Sequence, residues 1–257
     1  MNAITVPSGK KVYFASDNHL GAPTREKSLP REKQFVRWLD QAGQDAAAIF
    51  LLGDLFDFWF EYKYVVPRGF TRTLGKLAEL SDSGVPVHYF VGNHDLWMDG
   101  YFEEELGIPV YHGPRQFKLN DKDFFIGHGD GLGPGDKGFK RMKKVFTNPV
   151  AQWFFRWLHP DLGVRLAQYF SVKNRLISGE EDVRFLGEDQ EWLVQYARRK
   201  LSRQHFDFFV FGHRHLPLDI ALNDHSRYVN LGDWIQYYSY GVFDGENLRL
   251  EYFEKGA

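Results

Sequence analysis

The sequence predicts an α/β fold in which two sheets pack face to face with helices on the outside. Two observations lead there. Over the first hundred residues, apolar runs of strand length alternate with helically spaced segments, the pattern of βαβ units and a mainly parallel sheet. The C-terminal part instead carries short apolar runs separated by turns, which predicts a second, mixed or antiparallel sheet. At 257 residues, 43% hydrophobic and 26% charged, the chain has the composition of an ordinary globular protein and excludes disordered or fibrous classes.

Each element follows in order. Val12 to Ser16 reads as a buried strand ending at Asp17. Arg31 to Gln41 has helical spacing (Phe35, Val36, Leu39) after Ser28 and Pro30. Ala46 to Leu52 is the second strand and runs into Gly53-Asp54. Phe70 to Ser81 is helical and is closed by Gly84-Val85-Pro86. Val87 to Val91 is the third strand and runs into Gly92-Asn93-His94-Asp95. Gln116 to Leu119 and Asp123 to Ile126 form a hairpin across Asn120-Asp121. Phe206 to Phe211 is another strand, followed by short strands at Leu218 to Leu222, Arg227 to Leu231, Tyr240 to Phe243 and Leu248 to Phe253. Between about 135 and 187 the chain is aromatic, basic and helically spaced, which reads as a cap inserted over the sheet edge. One domain spanning 1–257 with this cap is expected.

Five polar clusters each follow an apolar run: Asp17-Asn18-His19, Gly53-Asp54, Gly92-Asn93-His94-Asp95, Gly127-His128-Gly129-Asp130 and Gly212-His213-Arg214-His215. In open α/β sheets ligands collect at the carboxyl ends of strands, so clusters distant in sequence converge there. The inventory of Asp, Asn and His suits a pair of divalent metals held by hard oxygens and imidazoles, and such pairs handle phosphate esters. Asp17 and His19, two apart in an extended segment, would point the same way and grip one metal. Asp54 would bridge two metals, and His213 and His215 would serve one each. A water shared by the metals would be acidified to a hydroxide that attacks phosphorus in line. His94 would stabilise phosphate charge or protonate the leaving group, with Asp95 fixing its tautomer.

Any one cluster is weak evidence, since a Gly-Asn-His-Asp turn is more often only a turn. Five in this order, each after a strand, argue for a common site. His88, His112, His159, His205 and His225 lie outside the pattern and read as ordinary histidines. The absence of Cys excludes a disulfide framework and Cys-ligated zinc. Met1 to Lys11 has no apolar core of a signal peptide, and the longest apolar stretch, Ala46 to Leu52, is far short of the ~20 residues of a spanning helix. A cytoplasmic location is expected. Charge is uneven: Asp136 to Leu176 carries nine Lys/Arg against two Asp, in a chain of net charge −2. That points to an anionic partner or a solvated helix face. Trp and Phe there are clustered at helical spacing, not interleaved with the basic residues, so a lipid or core face fits better than nucleic acid.

The order Asp-x-His, Gly-Asp, Gly-Asn-His-Asp, Gly-His, Gly-His-x-His resembles that of the calcineurin-like metallophosphoesterases. The resemblance implies a four-layer α/β/β/α sandwich. It also implies one metal on Asp17, His19, Asp54 and His215, and another on Asp54, Asn93, His128 and His213. Gly53-Asp54-Leu55-Phe56, Ser81-Asp82-Ser83-Gly84-Val85-Pro86, Leu231-Gly232-Asp233-Trp234 and the helical insertion look like the bacterial UDP-2,3-diacylglucosamine hydrolases of lipid A synthesis. That closer resemblance implies hydrolysis of the pyrophosphate to UMP and 2,3-diacylglucosamine 1-phosphate, with manganese. It also implies peripheral contact with the cytoplasmic face of the inner membrane. Substrate contacts carried over are Asn93, His94, Phe139, Ser171, Lys173 and Asn174. His94 stands where better-known members of that subfamily have Arg, and Phe139 where they have a Tyr. The alternative is another phosphoesterase on the same metals, acting on cyclic nucleotides, phosphoproteins or nucleic acid. A non-catalytic scaffold would be marked by lost ligands, and here the set is complete.

Overall fold

The computed structural model describes residues 2–133, 137–166, 185 and 187–253. Among them are strands β1 (Asn2–Ile4), β2 (Lys11–Ala15), β3 (Ala46–Leu51), β4 (Val87–Phe90), β5 (Val110–Tyr111), β6 (Arg115–Leu119), β7 (Lys122–Ile126), β8 (Phe208–Phe211), β9 (Pro217–Asn223), β10 (Ser226–Leu231), β11 (Ser239–Phe243) and β12 (Leu248–Tyr252). Helices are α1 (Arg25–Asp45), α2 (Thr71–Asp82), α3 (Tyr101–Leu106), α4 (Lys137–Phe146), α5 (Pro149–Arg156) and α6 (Trp192–Leu201). Residues 160–166 are also helical.

Two six-stranded mixed sheets result, in the orders β12-β11-β2-β3-β4-β5 and β1-β6-β7-β8-β10-β9. Three apolar clusters define four layers. Phe14, Phe50 and Phe90 of the first sheet meet Phe117, Phe124 and Val210 of the second, with Phe14 and Phe124 stacked at 6.0 Å. The first sheet's other face packs on Phe35, Trp38, Leu77 and Phe102 of α1, α2 and α3. The second sheet's outer face buries Leu193, Val194 and Ala197 of α6. Strands β2, β3 and β4 are parallel, as are β7 and β8, so the ends that carry the polar clusters point to one edge of the sandwich.

Two sequence expectations are corrected. β11 and β12 belong to the first sheet, not the second: all of β11 is buried, and it pairs antiparallel with β2 through Gly241 to Phe243. β1, a strand the sequence reading did not include, joins the second sheet parallel to β6. Helix α1 starts at Arg25, before Pro30, because Thr24 caps it through Lys27 N; Pro30 then lies inside the helix, where it removes one backbone hydrogen bond without ending it. Part of the expected cap, about 135–187, lies outside the described residues. Its described part docks on the core through Trp97, whose indole donates to Phe146 O and whose ring meets Phe155 at 4.7 Å.

Candidate metal centre

The five clusters meet. Loops after β2 and β3 are joined by backbone bonds from Asp17 N to Gly53 O (3.1 Å) and from His19 N to Asp54 O (2.8 Å). The loop after β8 is tied to the others by His213 N to Asp17 Oδ2 (2.9 Å) and Gly212 N to His128 O (2.9 Å). Two glycines permit this closeness. A Cβ on Gly92 would collide with the Asp54 carboxylate, and one on Gly212 with Ser16 and the Asp17 carboxylate.

The backbone does not take the extended form expected for Asp17 and His19. Their φ angles are 58° and 44°, and those of Asp54, His213 and His215 are 52°, 72° and 49°. Left-handed backbone at non-glycine residues is uncommon and costs energy, so five such residues in one cluster mark a built site. The side chains still converge. Ligand atoms of Asp17, His19 and His215 lie within 4.8 Å of one another, as do those of Asp17, Asp54 and His128, and those of His19, Asp54 and His94. His19 Nε2 faces His215 Nε2 at 3.1 Å, and Asn93 Oδ1 faces His128 Nε2 at 3.1 Å and His213 Nδ1 at 2.9 Å.

This donor set fits divalent cations. Buried Asp17 Oδ1 makes no hydrogen bond and faces His215 Nε2 at 3.4 Å and His19 Nε2 at 3.8 Å. Asp54 Oδ2 stands 3.4 Å from His128 Nε2 and 3.7 Å from His19 Nε2. Buried carboxylates and imidazoles packed this way require compensating charge. The proton affinities say the same. Burial pushes the Asp54 carboxyl up, but His128, His94 and His19 outweigh it and hold it well below the usual range. Burial acts to lower His128, yet Asp54, Asp17 and Asp130 raise it to about 10. Burial and the charge on His128 hold His213 well below its ordinary value. A bound cation would take the place of the proton held on His128.

Around this set stand residues that the motif reading did not assign. Asp57, Asp233 and Arg31 are nearly buried. Asp233 Oδ2 is 3.3 Å from His215 Nδ1, and Arg31 Nη2 donates to His19 O and Ala22 O at 2.7 Å each. Arg214, between the two histidines, makes a two-pronged pair with buried Glu191 at 2.9 and 3.0 Å. Asp95 is corrected: it does not orient His94. It accepts from Gly92 N (2.7 Å), Leu55 N (3.1 Å) and Tyr89 Oη. The group facing His94 Nδ1 is Asp57, through its carbonyl at 3.0 Å and Oδ1 at 3.6 Å. The Gly-Asp-x-x-Asp spacing from Gly53 to Asp57 was the signal available for it. Phe139 belongs to α4. The contact expected of its side chain, and Ser171, Lys173 and Asn174, lie outside the described residues.

Residues 10–217 match the calcineurin-like phosphoesterase family. The UDP-2,3-diacylglucosamine hydrolase of Porphyromonas gingivalis is 43% identical over 95% of this chain and 98% of its own. That of Edwardsiella ictaluri is 26% identical over 84% of this chain and 83% of its own. Among solved structures, vacuolar protein sorting 29 from Cryptosporidium parvum is similar over 97% of this chain and 100% of its own, with 14% identity and a TM-score of 0.44. Motif order, sheet arrangement and a match over most of the length agree: the chain belongs to the calcineurin-like phosphoesterase family.

Proposed function

We propose that the protein hydrolyses the pyrophosphate bond of UDP-2,3-diacylglucosamine, releasing UMP and 2,3-diacylglucosamine 1-phosphate. The observation that carries the reading is the 43% identity with the Porphyromonas gingivalis enzyme over nearly the whole of both chains, taken with the complete donor set at the strand ends.

Two divalent ions, most simply manganese, are proposed, with Asp17, His19, Asp54 and His215 holding one and Asp54, Asn93, His128 and His213 the other. Such a pair supplies Lewis acidity toward phosphate oxygens and an acidified water. The chain's own groups do the rest. His94, half-buried beside the cluster, donates to a phosphate oxygen or to the leaving oxygen. Asp57 holds the His94 ring through its backbone carbonyl at Nδ1 and sets its carboxylate beside Nδ1 of both His94 and His19. The positive-φ backbone fixes ligand directions before substrate arrives.

The segment from about 135 to 187, whose sequence has helical spacing, is proposed as a cap for the acyl chains and as the membrane-facing surface. Supporting this, Trp153, Phe154, Trp157 and Leu162 are exposed, as are Arg141, Lys144 and Arg156, a combination that suits an anionic bilayer surface. No helix among the described residues is long and apolar enough to cross a membrane.

The test is a mass-spectrometric assay with manganese and UDP-2,3-diacylglucosamine, run beside a generic phosphodiester. Release of UMP and the diacyl sugar phosphate, with slow turnover of the generic diester, is expected. Cleavage of the generic diester alone would keep the metal chemistry and reject the substrate.

A further inference from the structure

A cavity of ≈390 Å³ opens beside the metal cluster, between the 57–70 loop and the helical stretch at 160–165. We propose that it is the nucleoside-monophosphate subsite, taking the uridine arm of the pyrophosphate. The proposal rests on the reading of the protein as a UDP-2,3-diacylglucosamine hydrolase.

Position is the first argument. The cavity wall includes Leu20 and Asp57. Leu20 directly follows His19, and Asp57 N donates to Leu20 O at 3.0 Å. Asp57 in turn faces His94 and His19. The cavity therefore adjoins the cluster on the Asp57 side. The wall is closely fitted on this side: a Cβ on Gly21, at φ 103°, would meet the Phe70 ring at 3.3 Å.

Chemistry is the second. Arg68 comes from the loop and Arg165 from the helical stretch, so two guanidinium groups line one cavity from opposite elements. Among the described residues neither makes an ion pair. Guanidinium groups recognise phosphate oxygens with geometric specificity. Phe58, Tyr62 and Phe70 supply aromatic surface for a planar base. The volume falls in the range of small-molecule sites. Acyl chains fit the same wall poorly, because burying them here would strip water from Arg68, Arg165 and Asp161 with nothing polar in return.

The test is calorimetric binding of UMP to the manganese-loaded protein, with inorganic phosphate as the comparison ligand. The wild type is expected to bind UMP at least tenfold more tightly than phosphate. Arg68→Ala with Arg165→Ala is expected to remove most of that margin, and Arg68→Glu to weaken UMP more than Arg68→Ala does. Circular dichroism and metal content establish that the variants are folded and loaded. Equal affinity for UMP and phosphate in the wild type overturns the subsite, as does a double variant that keeps the full margin. A raised KM for the lipid substrate with UMP binding intact assigns the cavity to the sugar arm and also overturns it. Wild-type turnover is measured alongside. Turnover without UMP preference rejects the subsite and leaves the function standing. UMP preference without turnover rejects the function and leaves the nucleotide subsite standing.

Discussion

Asp57 Oδ1 lies 3.5 Å from His19 Nδ1 and 3.6 Å from His94 Nδ1, so one nearly buried carboxylate places its charge beside two histidines with different tasks. Orienting carboxylates of this kind are worth 10–100-fold in metal affinity or activity. Asp57→Asn is therefore expected to lower kcat by about 10–100-fold. His94→Ala should cost most of the turnover while metal content, measured by plasma mass spectrometry, stays at the wild-type level. Loss of metal in His94→Ala would move His94 into the ligand set, where its closeness to His19 and Asp54 would then have to be read as coordination.

Asp95 supports the site by folding it. Burial, with the charge of Asp54 behind it, raises its carboxyl to about 7, and its oxygens satisfy two backbone donors and the buried Tyr89 hydroxyl. Asp95→Ala leaves those donors without acceptors, at a cost of about 1–3 kcal/mol each. The expected result is a large loss of stability in urea even in the presence of chelator. A variant as stable as wild type in chelator, yet inactive, would restore a direct catalytic part for Asp95.

Chelation should destabilise the wild type. A ligand present at 100 to 1,000 times its dissociation constant stabilises by about 2.7–4.1 kcal/mol, so a clear fall in Tm with chelator and recovery with manganese are expected. Asp54→Asn should abolish that response. A thermal transition indifferent to both treatments in the wild type would count against a metal centre.

His88 provides a pH test away from the site. Its ring stacks on Phe50 at 4.7 Å, and burial lowers its pKa from 6.5 to about 4. The unfolded chain then binds the extra proton between those values, so stability is full above about 6.5 and is lost as pH falls toward 4. The loss is on the order of 3 kcal/mol. His88→Phe should make the urea midpoint less pH-dependent across that window by a corresponding amount. Unchanged pH dependence would mean that His88 keeps its proton in the fold.

Order and chemistry along the chain were legible without coordinates. Asp17, Asp54, Asn93, His128 and His213 each follow an apolar run, and strand ends converge in any parallel α/β sheet, so a shared site followed from local pattern and a general rule of topology. Sheet membership was not legible for β11 and β12, and β1 was not read as a strand at all. The apolar patterns of β11 and β12 fit either sheet, and only long-range pairing of Gly241 with Phe14 decides between them, as pairing of Asn2 with Phe117 makes β1 a strand. The left-handed backbone at His19 and Asp54 was hidden for a similar reason. Neither residue prefers it, and it is held by the hydrogen bond between the two loops. Asp57, Asp233 and Glu191 are ordinary acidic residues in the sequence. Burial against a particular histidine or arginine gives them their parts, and that neighbour comes from another segment of the chain. Spacing and residue type thus determined which groups do the chemistry, and tertiary packing decided which groups aim them, because orientation depends on contacts that no local pattern encodes.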